Sequence, residues 1–203
     1  DSAEELRERI SRATRVETAV ARCDQFFPSH RRRVADHLHG FVEGGVSVLA
    51  LTTLAGLLLG PDARTRIGEA CERLRLGTRT RVELDTLCDC AASFPSFPEE
   101  GREGRAFYRF FRDRQPAGPE LLLLPLSERL ITPELAARLV AFYFDHYRST
   151  DADLLLSGGQ VMEMLGIAPG PELGRHMERL REAESLGIVA TEEEARAFIR
   201  KSG

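Results

Sequence analysis

The sequence predicts an all-α protein, built as an elongated array of many helices. Apolar residues recur at intervals of three and four along most of the chain, whereas the apolar–polar alternation typical of strands is almost absent. Proline, glycine and capping residues separate these apolar segments, without a repeat of fixed period. We expect three consecutive parts: a helical domain (1–92), a helical body (93–150) and a small helical unit (151–203).

Composition places the chain among ordinary globular proteins, with 42% hydrophobic and 30% charged residues. The longest apolar run, Val46 to Leu59, is shorter than the roughly 20 residues that a membrane helix needs. The first 15 residues contain no apolar signal core, so we expect a cytoplasmic protein without a membrane span. Because the chain starts at Asp1 and not at Met, we expect it to be part of a longer protein.

The first part is predicted to contain five helices, with Gly44-Gly45 as a turn. Val48–Leu59 is apolar on nearly all faces and should be the central buried helix. Thr80 and Glu83 form a capping-box pattern at the start of the fifth helix. The other three predicted helices are Glu4–Phe27, Arg31–Glu43 and Ala63–Leu74. Predicted inward positions include Leu6, Ile10, Phe41, Leu74 and Val82.

Six helices are predicted in the remainder of the chain. Ser93–Pro98 is a loop and the best candidate for a hinge, and Pro125 should kink or restart the helix that contains it. Thr132 and Pro133 provide a cap and a first-turn proline. The predicted helices are Arg102–Arg114, Leu121–Leu130, Pro133–His146, Gly158–Leu165, Pro171–Leu186 and Glu192–Lys201, the last capped by Thr191 with Glu194.

The stretch from Ser157 to Arg175 predicts a short helix, a stop and a second helix. Ser157 and Gln160 form a capping box, Gly166 suits the left-handed position after a helix, and Pro171 suits a first turn. The second helix would direct free N–H groups beside Arg175, which is a favourable place for a phosphate. The alternative interpretation is a helix–turn–helix corner without a ligand.

An arginine row marks the predicted helix Arg102–Arg114. Arg102, Arg105, Arg109 and Arg112 follow spacings of three, four and three, and Tyr108 borders them. Such a row suits contacts to RNA phosphates, with stacking on the flanking aromatic ring. The alternative is a solvated face balanced by Glu99, Glu100, Glu103 and Asp113. The candidate RNA-binding residues are therefore Arg102, Arg105, Tyr108, Arg109, Arg112, Gly170 and Arg175.

We expect neither a catalytic centre nor a metal site in this chain. Asp151 and Asp153 have the spacing of a metal pair but lie in a polar linker without a strand beneath them. His37 and His39 are possible ligands, yet positions i and i+2 of a helix point to different faces. The four cysteines include no C-x-x-C pair and should be reduced core thiols.

Two segments resemble the C-terminal region of bacterial tRNA nucleotidyltransferases and poly(A) polymerases. The first runs from Arg105 to Asp113 and continues at Leu121–Leu124. The second consists of Ser157-Gly158, Val161-Met162, Leu165-Gly166-Ile167, Pro169-Gly170-Pro171, Gly174-Arg175, Gly187-Ile188 and Thr191 to Ala195. The resemblance is good from about residue 75 onward and looser before it.

The run Leu49–Leu59 also resembles the metal-binding helix of HD-type phosphohydrolases. Leu59-Gly60 stands where that family has its His-Asp dyad, so no divalent ion could be held there. We therefore interpret residues 1–92 as a degenerate HD-like domain.

These resemblances imply a non-catalytic part of a tRNA nucleotidyltransferase or poly(A) polymerase, which binds and positions RNA. A head domain absent from this chain would add nucleotides to an RNA 3′ end with magnesium and ATP or CTP, so no cofactor is expected here. The expected partner is RNA, in particular tRNA, with a homodimer possible and neither DNA nor membrane. The alternative is a helical protein-interaction or dimerisation scaffold. A contiguous apolar surface would favour the scaffold, and a basic one RNA binding.

Overall fold

The structure is a computed structural model that describes residues 2–98, 101–148 and 154–202. Its described part contains twelve α-helices and one two-stranded hairpin, which confirms the all-α prediction. The helices are α1 Ala3–Ala21, α2 Cys23–Phe26, α3 Arg31–His39, α4 Val48–Leu58, α5 Ala63–Leu74, α6 Thr78–Ala92, α7 Gly104–Arg112, α8 Leu123–Ser127, α9 Pro133–Asp145, α10 Gly158–Leu165, α11 Pro171–Ser185 and α12 Glu192–Ser202. The strands are β1 Phe41–Glu43 and β2 Val46–Ser47, and a 3₁₀ turn covers Pro119–Leu122.

Contacts divide the chain into two compact units. The first unit comprises Asp1–Ser96 and Arg114–Ala141, and the second comprises Phe97–Asp113 and Phe142–Gly203. Helix α9 therefore contributes to both units. The division into three consecutive domains, 1–92, 93–150 and 151–203, concerns parts that fold independently, and it stays a prediction.

Helix α4 is the centre of the first unit, as its all-round apolar sequence predicts. Leu51 and Ala55 have no solvent exposure, and α4 packs against α1 and α6. All four cysteines are buried and free, in agreement with the prediction of core thiols. Pro125 lies in the first turn of α8, where an N–H group would have no intrahelical acceptor, so the proline is accommodated by a helix restart.

A hairpin replaces the last turn of the predicted helix Arg31–Glu43. Gly44 and Gly45 have φ values of 58° and 82°, which is the backbone of a two-residue hairpin turn. The chain therefore leaves the helix at Gly40 and forms β1. As a result Phe41, predicted to be buried, is 72% exposed.

The start of α6 is capped by the hairpin and not by the predicted Thr80–Glu83 box. The helix begins at Thr78, so Thr80 lies inside it, and the Glu43 carboxylate accepts from the N–H groups of Arg79 (3.1 Å) and Thr80 (3.4 Å). A Cβ atom at Gly77 would collide with that carboxylate. The cap is thus a long-range contact, which no local pattern could reveal.

Four further predicted core positions are exposed, namely Leu6, Ile10, Leu74 and Val82. The buried positions of α1 begin only at Ala13, and Leu74 is the last residue of α5. Val82 lies two residues before Leu84, roughly 200° around α6 from its buried stripe. An apolar residue is buried only where another element covers its face.

The second unit has a small core of its own. Its helices α10, α11 and α12 bury a common set of side chains: Leu156, Val161, Met177, Leu180, Ala183, Val189, Ala195 and Ile199. The predicted turn chemistry is confirmed, with reciprocal bonds between Ser157 and Gln160, a left-handed Gly166 (φ 66°) and Pro171 in the first turn of α11. Thr191 and Glu194 form the predicted cap of α12.

Candidate RNA-binding surface

Helix α7 presents arginines on one side and aromatic rings on the other. The side chains of Arg105, Arg109 and Arg112 are exposed, whereas Phe107, Phe110 and Phe111 are buried. Arg102 is exposed as well, but it lies two residues before the first residue of α7. The helical stripe therefore consists of three arginines and not of the predicted four.

Tyr108 cannot stack on a base, contrary to the sequence prediction. Its side chain is 1% exposed, and its hydroxyl donates to Glu178 Oε1 at 2.9 Å. Burial raises the pKa of the Tyr108 hydroxyl, so it remains a donor at neutral pH. Position 108 follows Phe107 on the same apolar side of α7, which explains why it is covered.

Arg112 and Arg175, proposed from separate stretches of the sequence, line the same open depression. Its other lining residues are Pro171, Gly174, Glu178 and Arg179. Gly170 immediately precedes α11, and among the described residues no side chain caps this helix start. The first N–H groups of α11 thus lack intrahelical acceptors beside two arginines that line the depression.

Two glutamates of α11 balance part of this charge. Glu178 Oε1 lies 2.7 Å from Arg112 Nε, and Glu178 Oε2 accepts from Arg181 at 2.7 Å. Glu182 Oε1 lies 2.8 Å from Arg105 Nε. In the part of the chain that the structure describes, Arg109 and Arg175 make no ion pair. The surface is therefore basic, with part of its charge balanced by carboxylates. The ion pair with Glu178 holds Arg112 in place, whereas no carboxylate of the described residues pairs with Arg175.

Glu178 is the residue of this surface that sequence reasoning missed. It follows Arg175 by three positions, which suggests only a local helix pair. Its role depends on Tyr108 and Arg112 of α7, some 70 residues earlier in the chain. Only the packing of α7 against α11 brings these groups together.

Arginine side chains bond to the backbone around Leu59, where the resemblance to HD-type phosphohydrolases would have required a His-Asp dyad. The carbonyls of the last two residues of α4 and of the residue after it accept from three guanidinium groups: Leu57 from Arg9 (2.8 Å), Leu58 from Arg66 (3.2 Å) and Leu59 from Arg12 (2.8 Å). These side chains satisfy carbonyls that have no intrahelical partner and complement the negative end of the helix. Cationic groups here would repel a metal ion.

The two candidate histidine ligands point apart, as expected from their spacing. His37 Nε2 lies 2.5 Å from Glu120 Oε2, whereas His39 Nδ1 contacts the Ala35 carbonyl of its own helix at 2.7 Å. Across the described ranges, no group of three or more His, Cys, Asp or Glu side chains could hold a metal ion. Asp151 and Asp153 lie outside the described residues.

Comparison with known proteins identifies relatives that act on tRNA by name. A CC-adding tRNA nucleotidyltransferase from Geobacter sulfurreducens is 33% identical over 175 residues, covering 86% of this chain and 40% of the relative. A CC-adding tRNA nucleotidyltransferase from Thermus thermophilus is 40% identical over 102 residues, covering 48% of this chain and 23% of that protein. An A-adding tRNA nucleotidyltransferase from Deinococcus radiodurans is 51% identical over 47 residues, covering 23% and 11%.

The chain thus spans less than half the length of these curated relatives. No family model and no solved structure matches it. Within the described residues, no helix combines the length and the apolar character needed to cross a membrane.

Proposed function

We propose that this chain binds and positions RNA. The proposal starts from family membership, because the chain belongs to the tRNA nucleotidyltransferase family and corresponds to a C-terminal region of it. The relatives are named for adding CC or A to tRNA, so tRNA is the RNA that we propose as the partner. Addition of nucleotides to the 3′ end would be the task of other parts of the protein.

One observation supports this role above all: Arg112 of α7 and Arg175 of α11 line one depression at the start of α11. A phosphate there would meet guanidinium forks, backbone N–H groups and the positive end of a helix dipole. Exposed Arg105 and Arg109 continue the same face of α7 and would follow the neighbouring phosphates. Phosphate contacts of this kind hold and orient an RNA without reading its sequence.

Binding at this surface should depend on shape and not on base stacking. The aromatic rings of α7 are buried, so they cannot receive unstacked bases. Folded RNA helices offer closely spaced phosphates and 2′-hydroxyl groups, which suit arginines on a rigid helix. We therefore propose that the surface prefers a folded tRNA body to an unstructured strand.

Charge-matched variants test this role. In fluorescence anisotropy with labelled tRNA, the double variant Arg112→Gln, Arg175→Gln should bind at least about tenfold more weakly, because each charge-assisted contact contributes roughly 1.5 kcal/mol or more. The control is Arg73→Gln, Arg81→Gln, which removes the same charge from exposed positions in the first unit. Equal weakening by both doubles would assign the effect to net charge and contradict the proposal.

We also propose that this chain does not itself transfer nucleotides. That reaction requires paired aspartates at a strand end to hold two magnesium ions, whereas the Asp-x-Asp pair of this sequence, Asp151 and Asp153, is predicted to lie in a polar linker. Incubation of the purified chain with tRNA, magnesium and labelled ATP or CTP should leave the tRNA unextended. Incorporation that persists through a second, independent preparation would contradict this proposal.

A further inference from the structure

A pocket in the first unit is lined by none of the residues of the candidate RNA-binding surface. It has a volume of about 630 Å³, within the roughly 300–1,000 Å³ of small-molecule sites. Helices α1 and α2 form one wall, and the segment from Leu126 to Glu134 forms the other. Its walls combine apolar side chains with cations, so the pocket suits a ligand with one charged and one uncharged part.

Two arginines supply the available positive charge. Arg22 and Arg129 line the pocket and are exposed, and within the described residues neither makes an ion pair or side-chain hydrogen bond. Arg15 also lines it, but its guanidinium already bonds to Glu8 (2.9 Å), Ser11 (2.8 Å) and Glu128 (2.8 Å). An incoming anion would therefore bind to Arg22 and Arg129.

The start of α9 contributes little to this attraction. The Thr132 hydroxyl already accepts from the N–H of Leu135 at 3.3 Å, and the Thr132 carbonyl accepts from Ala136. Glu134, the only carboxylate among the lining residues, bonds to its own backbone N–H and to Thr132, and both bonds lower its pKa. This local carboxylate would repel an anion, so two free guanidinium groups are needed to overcome it.

Arg129 occupies a backbone position that normally belongs to glycine. Helix α8 ends with the N–H of Leu130 bonded to the Pro125 carbonyl (2.8 Å) and that of Arg129 to the Leu126 carbonyl (3.1 Å), with Arg129 at φ 58°. This is the Schellman ending, in which glycine is preferred because a Cβ atom strains the left-handed conformation. A strained arginine whose side chain lines a pocket points to a role for that side chain.

We propose that this pocket binds a nucleotide, with the phosphate on Arg22 and Arg129 and the base against Phe26. A phosphate monoester carries a charge of about −1.5 to −2 at pH 7. As the anionic group of a ligand, it therefore matches two guanidinium groups better than a carboxylate with a single negative charge. Phe26 packs edge-on against Phe27 and lines the pocket, so its ring is a wall on which a flat base can stack. Leu126 and Ile131 extend the apolar wall.

This inference is independent of the proposed RNA-binding surface, because that surface belongs to the second unit. The same chemistry could come from a free mononucleotide or from one nucleotide of an RNA strand. Both sources present a phosphate linked through a ribose to a flat base, as a monoester in the mononucleotide and as a diester within RNA, and the experiment separates them.

Isothermal titration of the chain at low salt tests the pocket. AMP or CMP should bind at one site, while adenosine and inorganic phosphate, which each lack one half of the ligand, should bind at least about tenfold more weakly. Arg22→Gln should weaken nucleotide binding by a similar factor. If only a short single-stranded oligonucleotide binds, and Arg22→Gln weakens it, the source is RNA and the pocket stands.

Arg129→Gly is the decisive variant, because it removes the side chain and relieves the backbone. It should lose binding about tenfold while the melting temperature stays level or rises, so misfolding cannot explain the loss. The matched control is Arg75→Gly: Arg75 ends α5 in the same way at φ 53° and lies outside the pocket. The proposal is wrong if the two variants bind alike, if neither a mononucleotide nor the oligonucleotide binds at millimolar concentration, or if phosphate alone binds as tightly as AMP.

Discussion

At the scale of single residues, Glu178 organises the proposed RNA-binding surface of the second unit. Its carboxylate accepts a hydrogen bond from the Tyr108 hydroxyl and pairs with the guanidinium groups of Arg112 and Arg181. The presence and spacing of these arginines could be predicted from the sequence. The buried position of Tyr108 could not, because a residue at the border of an amphipathic stripe is assigned to either side only by its packing partner.

Glu43 gives a residue-scale prediction about stability. Its carboxylate caps α6 from the hairpin, so Glu43→Ala leaves two helix N–H groups without that acceptor. We expect the free energy of unfolding to fall by about 1 kcal/mol in urea denaturation. Glu17→Ala, an exposed site on α1, should change it by less than about 0.5 kcal/mol. Equal effects of the two substitutions would rule out the cap.

Glu83 gives a prediction about pH. It is 3% exposed, and its pKa is raised from 4.5 by burial and by the neighbouring Glu120, with Arg79 and His37 opposing the shift. The Glu83 carboxyl keeps its proton to higher pH in the folded state than in the unfolded chain. Its contribution to the free energy of unfolding is therefore largest below about pH 4.5 and is lost as pH rises through the native pKa.

Glu83→Gln should remove that loss. The stability of the variant relative to the parent, measured by urea denaturation, should therefore increase between pH 4 and pH 7. Glu17→Gln, at an exposed position, serves as the control and should show no such trend. A difference between Glu83→Gln and the parent that stays constant over this range would contradict the assignment.

At the scale of elements, the structure was predicted well where a sequence pattern involves only residues a few positions apart. The capping box at Ser157, the left-handed Gly166 and the caps of α9 and α12 all form as the sequence indicates. The errors lie where a distant segment decides. The hairpin at Phe41 and the cap from Glu43 depend on contacts with α6, which lies more than 30 residues further along.

Helix α7 should tolerate loss of its arginines without loss of stability. The Arg105–Glu182 ion pair is largely exposed on the arginine side, and exposed pairs contribute little to the free energy of unfolding. For the double variant Arg105→Ala, Arg109→Ala, we expect a free energy of unfolding within about 1 kcal/mol of that of the parent, measured by thermal denaturation. A variant that fails to fold would show that these side chains hold α7 in place.

At the scale of the whole molecule, net charge limits how the proposed RNA binding could work. The net charge of −4 does not favour binding over the whole surface, so the proposal assigns the affinity to a local set of arginines. Family membership could be predicted from the sequence because its glycines, prolines and arginines recur in a fixed order. How carboxylates restrain that arginine set could not, since ion pairs between helices leave no trace in local spacing.

The salt dependence of tRNA binding tests the central claim most directly. Each phosphate neutralised contributes about 0.7 to 0.9 to the slope of log affinity against log salt concentration. Replacing Arg112 and Arg175 with glutamine should therefore flatten that slope by roughly 1.5, whereas the charge-matched control Arg73→Gln, Arg81→Gln should keep the slope of the parent. An unchanged slope in the Arg112, Arg175 double variant would contradict the account, because the depression at the start of α11 would then hold no phosphate.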